Sequence, residues 1–269
     1  MNLSPIAALL AATIALVVPV GTAHAGRSCD APKQPSPIVI EKGLALAERT
    51  MKTLETEYVR NATKVVVLAR AGQDLAKYGL RYSHLGLAYR TQNGQWLVAH
   101  KLNTCGTAEA SVYRQGLGEF FLDDLFRYEA AWMVPTREVQ DKLHAALLDP
   151  ARTTSMHTKP YSMVSYVWAQ KYQQSNQWAI ETFAAAMEGS INNRQQAQAW
   201  LQFKGYEPTT LKLGPLTRLG GRITAANIAF DDHPNEKRFS DRIESVTVDS
   251  VFMWLQRAGL AAAPVALRL

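Results

Sequence analysis

The feature that most constrains the fold is an Asn-Gly pair, Asn93-Gly94, that lies between two apolar runs. The first run, Tyr82 to Tyr89, and the second, Trp96 to Lys101, are rich in residues that favour β-strands. Asn-Gly is the strongest short signal for a tight turn between antiparallel strands, because both residues tolerate positive φ. The sequence therefore predicts a β-hairpin.

The hairpin lies among other segments with helix or strand patterns. Lys64 to Arg70 is a short β-branched run that predicts a strand. Apolar residues recur with helical spacing from Ile40 to Leu54 and predict a helix. We therefore expect an α+β fold with an antiparallel central sheet flanked by helices. Further helices are predicted over residues 120–125, 136–148, 175–187, 193–203 and 249–258, further strands over 130–134 and 222–230, and a loop over 151–160.

The first segment, Met1 to Ala25, predicts export. It contains no Lys, Arg, Asp or Glu, and its apolar core runs from Ile6 to Val20. That core has the length of a signal-peptide apolar region and is short for a spanning helix, which needs about 20 apolar residues. Ala23 and Ala25 supply the small residues of a cleavage site after Ala25. The alternative is an uncleaved N-terminal anchor.

The rest of the chain is expected to form one domain. Residues 26–36 are polar and Pro-rich and read as a loose leader, residues 37–262 as a single α+β domain, and residues 263–269 as a C-terminal tail. We expect no transmembrane segment after cleavage, because no later apolar run reaches spanning length. The predicted location is the periplasm or the outside of the cell.

The charge of the chain favours anionic partners. Lys and Arg number 29 against 23 Asp and Glu, a formal net charge of +6. The basic residues are dispersed and form no nucleic-acid motif, so we expect an envelope component such as peptidoglycan rather than nucleic acid. No Gly-rich phosphate loop, zinc motif or nucleophile elbow is present. We predict no cofactor and no metal.

The two cysteines are Cys29 and Cys105. In an oxidising compartment two cysteines often pair, and a bond to Cys29 would tie down the segment after the cleavage site. The alternative is that Cys105 is a catalytic thiol.

His84 is the first candidate for chemistry. It lies in an apolar strand, and Gly86 two positions later leaves that face open near the imidazole. Histidine suits acid–base work because its pKa lies near neutrality. The alternative is a core histidine with a backbone hydrogen bond.

His100 is the second candidate. A two-residue turn would place His100 opposite Leu87 and His84 opposite Asn103, which leaves the two histidines one position out of phase. A longer turn or a bulge would bring them to the same face, where one could orient the other. The alternative is an ordinary histidine near a strand end.

Ser175 is the third candidate, because it lies where a helix should begin. A nucleophile there benefits from the helix dipole, but a serine needs a nearby base. The alternative is a helix N-cap. Asp231-Asp232-His233-Pro234 offers metal-ligating atoms, but adjacent residues cannot all reach one ion, so we interpret it as a turn.

Six blocks within residues 60–258 resemble one family of exported bacterial proteins that is classified only as a domain of unknown function. Their number and order make the resemblance specific. The blocks are Arg70 to Leu75, Tyr82 to Gly86, Leu102 to Thr107, Gln115 to Leu117 with Phe120-Phe121, Gln174 to Trp178, and Phe230 to Pro234.

The order of His84, His100 and Ser175 also resembles that of the permuted papain-like hydrolases, relatives of the NlpC-type cell-wall peptidases. The resemblance implies a papain-like fold with His84 as general base, His100 as orienting residue and Ser175 as nucleophile. That superfamily has Cys where this chain has Ser175. Two functions stay open: a hydrolase or acyl-transfer enzyme acting on an amide or ester, and a catalytically inactive envelope protein that binds through the same groove. A structural partner of peptidoglycan or lipid is a third.

Overall fold

The computed structural model describes residues 34–123 and 125–269 and shows an α+β fold there. The strands are β1 Val65–Ala71, β2 His84–Arg90, β3 Trp96–Asn103, β4 Ala110–Gly116, β5 Arg127–Met133, β6 Thr209–Lys212, β7 Arg242–Ser245 and β8 Val265–Arg268. The helices are α1 Pro37–Asn61, α2 Leu117–Leu122, α3 Arg137–Leu148, α4 Pro150–Ser155, α5 Ser175–Met187, α6 Arg194–Phe203, α7 Pro215–Thr224, α8 Asn235–Arg238 and α9 Val248–Arg257.

The main sheet has six strands in the order β4-β3-β2-β1-β5-β8, and every neighbouring pair is antiparallel. The predicted α+β class with an antiparallel central sheet is therefore confirmed. A separate two-stranded ribbon, β6-β7, lies in the segment between α6 and α9.

The central strand β1 explains how the core is divided. All seven of its residues are buried, because β2 and β5 pair with its edges and helices cover both faces. Side chains alternate along a strand. Val65 and Val67 therefore pack into a cluster with α3, α5 and α9, whereas Val66 and Leu68 pack into a second cluster with α1 and α2.

The hairpin has a longer turn than the Asn-Gly pair alone would give. Leu87 pairs with Ala99, and the Thr91 N–H donates to the Gln95 carbonyl oxygen at 2.7 Å. Gly94 has a φ of +83°, but Asn93 is not among the described residues with positive φ. A type I′ turn needs positive φ at both positions, so the two-residue turn does not form. The register expected from that turn is wrong by one residue.

Two local predictions are also wrong because helix-start signals outweigh the surrounding pattern. The expected loop over residues 151–160 contains α4, which has Pro150 at its first turn and the Asp149 carboxylate accepting from the Ala151 N–H at 2.9 Å. The expected strand over residues 222–230 is wrong, because α7 begins at Pro215 and continues to residue 224.

The last residues join the sheet. Residues 263–269, which the sequence reading set apart as a tail, include β8, and this strand pairs with β5. Among the described residues, none of the helices has the length and apolar character to cross a membrane. The predicted signal peptide, Met1 to Ala25, lies outside the described residues, as does Cys29, so the cleavage and the Cys29–Cys105 bond stay predictions.

Candidate active site

The longer hairpin turn brings His84 and His100 together. His84 begins β2, His100 lies on β3, and the His84 Nε2 is 3.0 Å from the His100 Nδ1. The two rings meet edge to face, with centroids 5.2 Å apart. Both side chains are buried, His100 completely. Of the two registers that the sequence left open, the longer turn therefore gives the one in which the two histidines share a face and form a hydrogen-bonded pair.

Gln115 on β4 extends this pair into a chain of three side chains. The His100 Nε2 lies 2.8 Å from the Gln115 Oε1. A carbonyl oxygen only accepts, so His100 carries its hydrogen on Nε2 and accepts at Nδ1 from the His84 Nε2–H. His84 then has its unshared electron pair on Nδ1. Within the described part of the chain, this nitrogen has no hydrogen-bond partner.

The surroundings keep both rings uncharged at neutral pH. Burial, followed by the nearby Arg70 guanidinium, lowers the pKa of His84 well below its ordinary value. The same two causes lower the pKa of His100 to about 4, against weaker raising effects of Gln115 and Asp123. Arg70 pairs with His84 across β1 and β2, and it donates to the Asp123 carboxylate and to the Phe120 carbonyl oxygen. The hydrogen-bonded chain of His84, His100 and Gln115 is therefore uncharged at neutral pH.

Phe120 of α2 packs against both histidines. Its ring centroid lies 5.9 Å from that of His84 and 5.2 Å from that of His100. A Cβ at Gly86 would lie 2.3 Å from the Val98 Cγ1 and 3.1 Å from the Phe120 Cε2. The expectation that Gly86 leaves this face open is wrong, because Val98 and Phe120 fill the space. Gly86 instead lets Phe120 approach the strand.

Ser175 is not joined to the histidines. It is the first residue of α5 and is buried, and its side chain lies beside that of Tyr161, where burial raises the pKa of the Tyr161 hydroxyl and Ser175 lowers it more weakly. No hydrogen bond between Ser175 and His84 occurs among the residues that the structure describes. The N-cap of α5 is Gln174, whose side chain accepts from the Asn176 N–H at 2.9 Å, so the interpretation of Ser175 as the N-cap is wrong.

Asn176 is the residue of α5 that contacts the strand next to His84. Its Oδ1 accepts from the Leu85 N–H at 2.8 Å, and its Nδ2 donates to the Ser83 carbonyl oxygen at 3.3 Å. The Asn176 side-chain amide thus accepts from and donates to the backbone of this segment, as the backbone of a paired strand would. These two bonds hold the start of α5 against β2. The sequence reasoning singled out neither Asn176 nor Gln115. Both lie inside the family blocks, and that is the signal that could have found them.

The Asp231 to Pro234 segment forms a turn, as expected, with a buried pair inside it. The His233 Nδ1 is 2.9 Å from the Asp232 Oδ1, and the Asp232 Oδ2 accepts from the Tyr166 N–H at 2.9 Å. Among the described residues, no group of three or more His, Cys, Asp or Glu side chains could hold a metal ion. The pair therefore fastens this turn to the loop before α5.

A groove of about 430 Å³ lies on the α1 side of the sheet, near the hairpin turn. Its lining includes Leu44, Met51, Glu55, Trp96 and Leu117. None of the three candidate residues lines it. The groove is therefore a feature separate from the histidine chain.

The matched range of a known family contains the side chains of the histidine chain and of the start of α5. The model of the family described as "Uncharacterized protein conserved in bacteria (DUF2145)" matches residues 58–255. No match to the chain is found among curated proteins or among solved structures. Because the match covers well over half of the chain, the protein belongs to this uncharacterised bacterial family.

Proposed function

We propose that this protein is an exported cell-envelope protein that binds a ligand through His84 and does not use Ser175 as a nucleophile. The observation that carries the proposal is the His84–His100–Gln115 chain, which ends in an unshared electron pair on the His84 Nδ1. The neighbouring candidates at the start of α5 are engaged elsewhere, Ser175 with Tyr161 and Asn176 with β2.

A permuted papain-like ancestry fits this arrangement. The order of elements is that of the permuted papain-like group. His84 begins β2, His100 on the next strand orients it, and α5 begins against β2. Ser175 and Asn176, at the start of α5, favour a binding role in place of hydrolysis. A hydrolase needs a nucleophile that can reach the base, and here Ser175 and Asn176 hold the helix start to its surroundings.

The chemistry of His84 defines the ligand class. An uncharged imidazole with an unshared electron pair accepts a hydrogen bond, so the ligand must present an N–H or O–H group. The nearby Arg70 guanidinium disfavours a cationic ligand. Amide and hydroxyl groups of envelope polymers such as peptidoglycan meet both requirements.

A hydrolase that uses Ser175 is the second candidate. The observation in its favour is that Ser175 is the first residue of α5, where the helix dipole stabilises negative charge on a nucleophile. Catalysis would require the Ser175 hydroxyl to leave Tyr161 and reach the His84 Nδ1, although α5 packs on the face of the sheet opposite to the histidine chain.

Binding and turnover should be measured on the same samples. Soluble muropeptides are titrated calorimetrically against wild type, His84→Gln and Ser175→Ala, and each mixture is then analysed for cleaved products, alongside a panel of amide and ester substrates. We expect binding without cleavage, at least about tenfold weaker binding by His84→Gln through loss of one hydrogen bond, and unchanged binding by Ser175→Ala.

The matched control is His144→Gln, because His144 also contributes one ring hydrogen bond, to the Arg90 carbonyl oxygen, away from the site. Equal binding by wild type and His84→Gln would remove His84 from the proposal. Cleavage that disappears in both His84→Gln and Ser175→Ala would establish the hydrolase instead. The export part is tested by N-terminal sequencing of the periplasmic protein, which should begin at Gly26.

A further inference from the structure

Helix α7 has an apolar stripe that faces solvent. Leu216 is 84% exposed, Leu219 56% and Ile223 75%, and the helical spacing places the three on one side of the helix. Phe239, which directly follows α8, is 78% exposed. We call these four side chains the α7 apolar patch. An amphipathic helix of a globular protein normally turns such a stripe toward the core.

Arg218 holds the patch in this outward orientation. Its side chain is buried, its Nε donates to the Leu213 carbonyl oxygen at 2.9 Å, and its Nη1 donates to the Arg238 carbonyl oxygen at 2.7 Å. These bonds fasten the inner side of α7 to the end of α8 and so bring Phe239 close to α7. The polar anchor faces inward, which leaves the apolar side chains outside.

The core beneath this region does not use the patch. Leu213, Phe230 and Ile243 form a separate buried cluster beside the β6-β7 ribbon, and no residue of the patch belongs to it. Each patch side chain also leaves more than half of its surface accessible to solvent. The patch is thus available to contact an apolar surface outside this molecule.

Basic side chains lie on α7 and α8 and on the β6-β7 ribbon, the elements that adjoin the patch in sequence, and the exposed Glu236 is an acidic side chain on α8. Arg222 on α7 is exposed, Lys212 is 79% exposed and Arg242 is 68% exposed. The Arg238 guanidinium lies 5.5 Å from the centroid of the Phe239 ring. The Asp241 carboxylate lies near two of these cations. Its Oδ2 is 3.6 Å from the Lys212 Nζ, and its Oδ1 is 3.8 Å from the Arg242 Nε. Helix α7 itself carries two arginines and no acidic residue.

We propose that the α7 apolar patch seats this protein on an anionic lipid bilayer. An exposed apolar stripe with basic neighbours has the features of a helix that lies in the plane of the interface, with its apolar side chains below the headgroups and its cations beside the lipid phosphates. Binding by this route needs no spanning helix. It is independent of the histidine chain and goes beyond the proposed function.

Vesicle co-sedimentation tests the proposal on the full chain as isolated. The probes are phosphatidylcholine vesicles with and without phosphatidylglycerol. We expect wild type to sediment with the anionic vesicles, to bind the neutral ones at least several-fold more weakly, and to dissociate as salt is raised, because screening weakens the contacts of exposed cations. Leu216→Ser combined with Ile223→Ser should reduce the partition coefficient at least about tenfold.

Phe203→Ser is the matched control, because Phe203 is 83% exposed on α6, outside the patch. It should bind as wild type does. The proposal is overturned if wild type does not sediment with anionic vesicles, or if the double variant binds them as strongly as wild type, the result expected when the first 25 residues anchor the chain. A second copy of the chain could cover the patch instead. The proposal is therefore also overturned if sedimentation velocity shows wild type as a dimer and the double variant as a monomer, and neither protein binds vesicles.

Discussion

Two buried polar clusters lie on opposite faces of the same sheet, and they differ in how completely they are paired. His100 and Lys101 are neighbours on β3, so their side chains point to opposite faces. His100 belongs to the histidine chain on the α2 face. Lys101 belongs to a network on the α5 face that we call the Glu181 network, formed by Lys101, Gln173, Glu181, Arg194 and Gln198.

The Glu181 network is closed. The fully buried Glu181 carboxylate accepts from Arg194 Nε at 2.7 Å and from Gln198 Nε2 at 2.7 Å, and Gln173 donates to it as well. Lys101 Nζ donates to Gln173 Oε1 at 2.8 Å and to a backbone carbonyl oxygen. Burial raises the pKa of Glu181 and lowers the pKa of Lys101 to about 7. Each charge has partners, so this network ties α5 and α6 to the sheet.

The histidine chain is open at one end. His100 and Gln115 use their facing polar atoms, but the His84 Nδ1 has no partner among the described residues. This nitrogen is not among the buried side-chain atoms without a hydrogen-bond partner, so it is accessible to solvent and to a ligand. The difference teaches that the closed network serves the fold, whereas the open chain can serve a ligand.

The largest effect should come from opening the closed network. Arg194→Ala leaves the buried Glu181 without its cation, and we expect the free energy of unfolding to fall by about 3–5 kcal/mol. Urea denaturation followed by circular dichroism measures it. The matched control is Arg257→Ala, because Arg257 pairs with Glu207 at 3.1 Å on the surface and should contribute under about 1 kcal/mol. Equal effects of the two variants would refute the distinction.

The open chain should give stability a pH dependence of defined sign. The folded-state pKa of His100 is lowered to about 4, while the unfolded value is about 6.5. Between these values the unfolded chain binds the proton and the folded one does not. Stability should therefore be highest above about pH 6.5 and fall by on the order of 3 kcal/mol as the pH drops toward 4. Urea unfolding across this window measures the slope.

The His100→Gln variant isolates this contribution. Glutamine retains a hydrogen-bonding side chain but does not titrate, so the slope between pH 6.5 and 4 should flatten by up to about 1.4 kcal/mol per pH unit. A slope identical to that of wild type would show that His100 is not the group responsible. His84 has the same direction of pKa shift, so His84→Gln should act the same way.

A smaller effect is expected from the packing beneath the histidines. In Gly86→Ala the new Cβ would clash with Val98 and Phe120, and overpacking of this kind costs about 1–3 kcal/mol. Gly189→Ala is the control, because nothing lies within 4 Å of its added Cβ. Thermal unfolding compares the two. A Gly86→Ala protein as stable as the Gly189→Ala protein would contradict close packing of Phe120 on β2.

Much of the sheet could be predicted from sequence, because β-branched runs and a hairpin signal act locally. The predicted helix over residues 175–187 agrees with α5 at both ends. The hairpin register could not be predicted, because one turn residue more or fewer moves every side chain to the other face. That single residue decides whether His84 meets His100.

Long-range partners account for the rest. Asn176 lies 91 positions from Leu85, and Gln115 lies 15 from His100, so no local pattern indicates either contact. The sequence does not predict helix α7 and indicates a strand over residues 222–230 instead. Apolar spacing normally predicts burial, whereas Arg218 anchors this helix through polar contacts.

The central claim is that the histidine chain is neutral and leaves its electron pair on His84. Heteronuclear NMR of protein labelled at the histidine ring nitrogens tests it most directly, with assignments from His84→Gln and His100→Gln. At neutral pH the account predicts two uncharged rings, both with hydrogen on Nε2, and an unprotonated His84 Nδ1 whose shift moves when a hydrogen-bond-donating ligand is added. A charged His84 ring, or hydrogen on its Nδ1, would contradict the account.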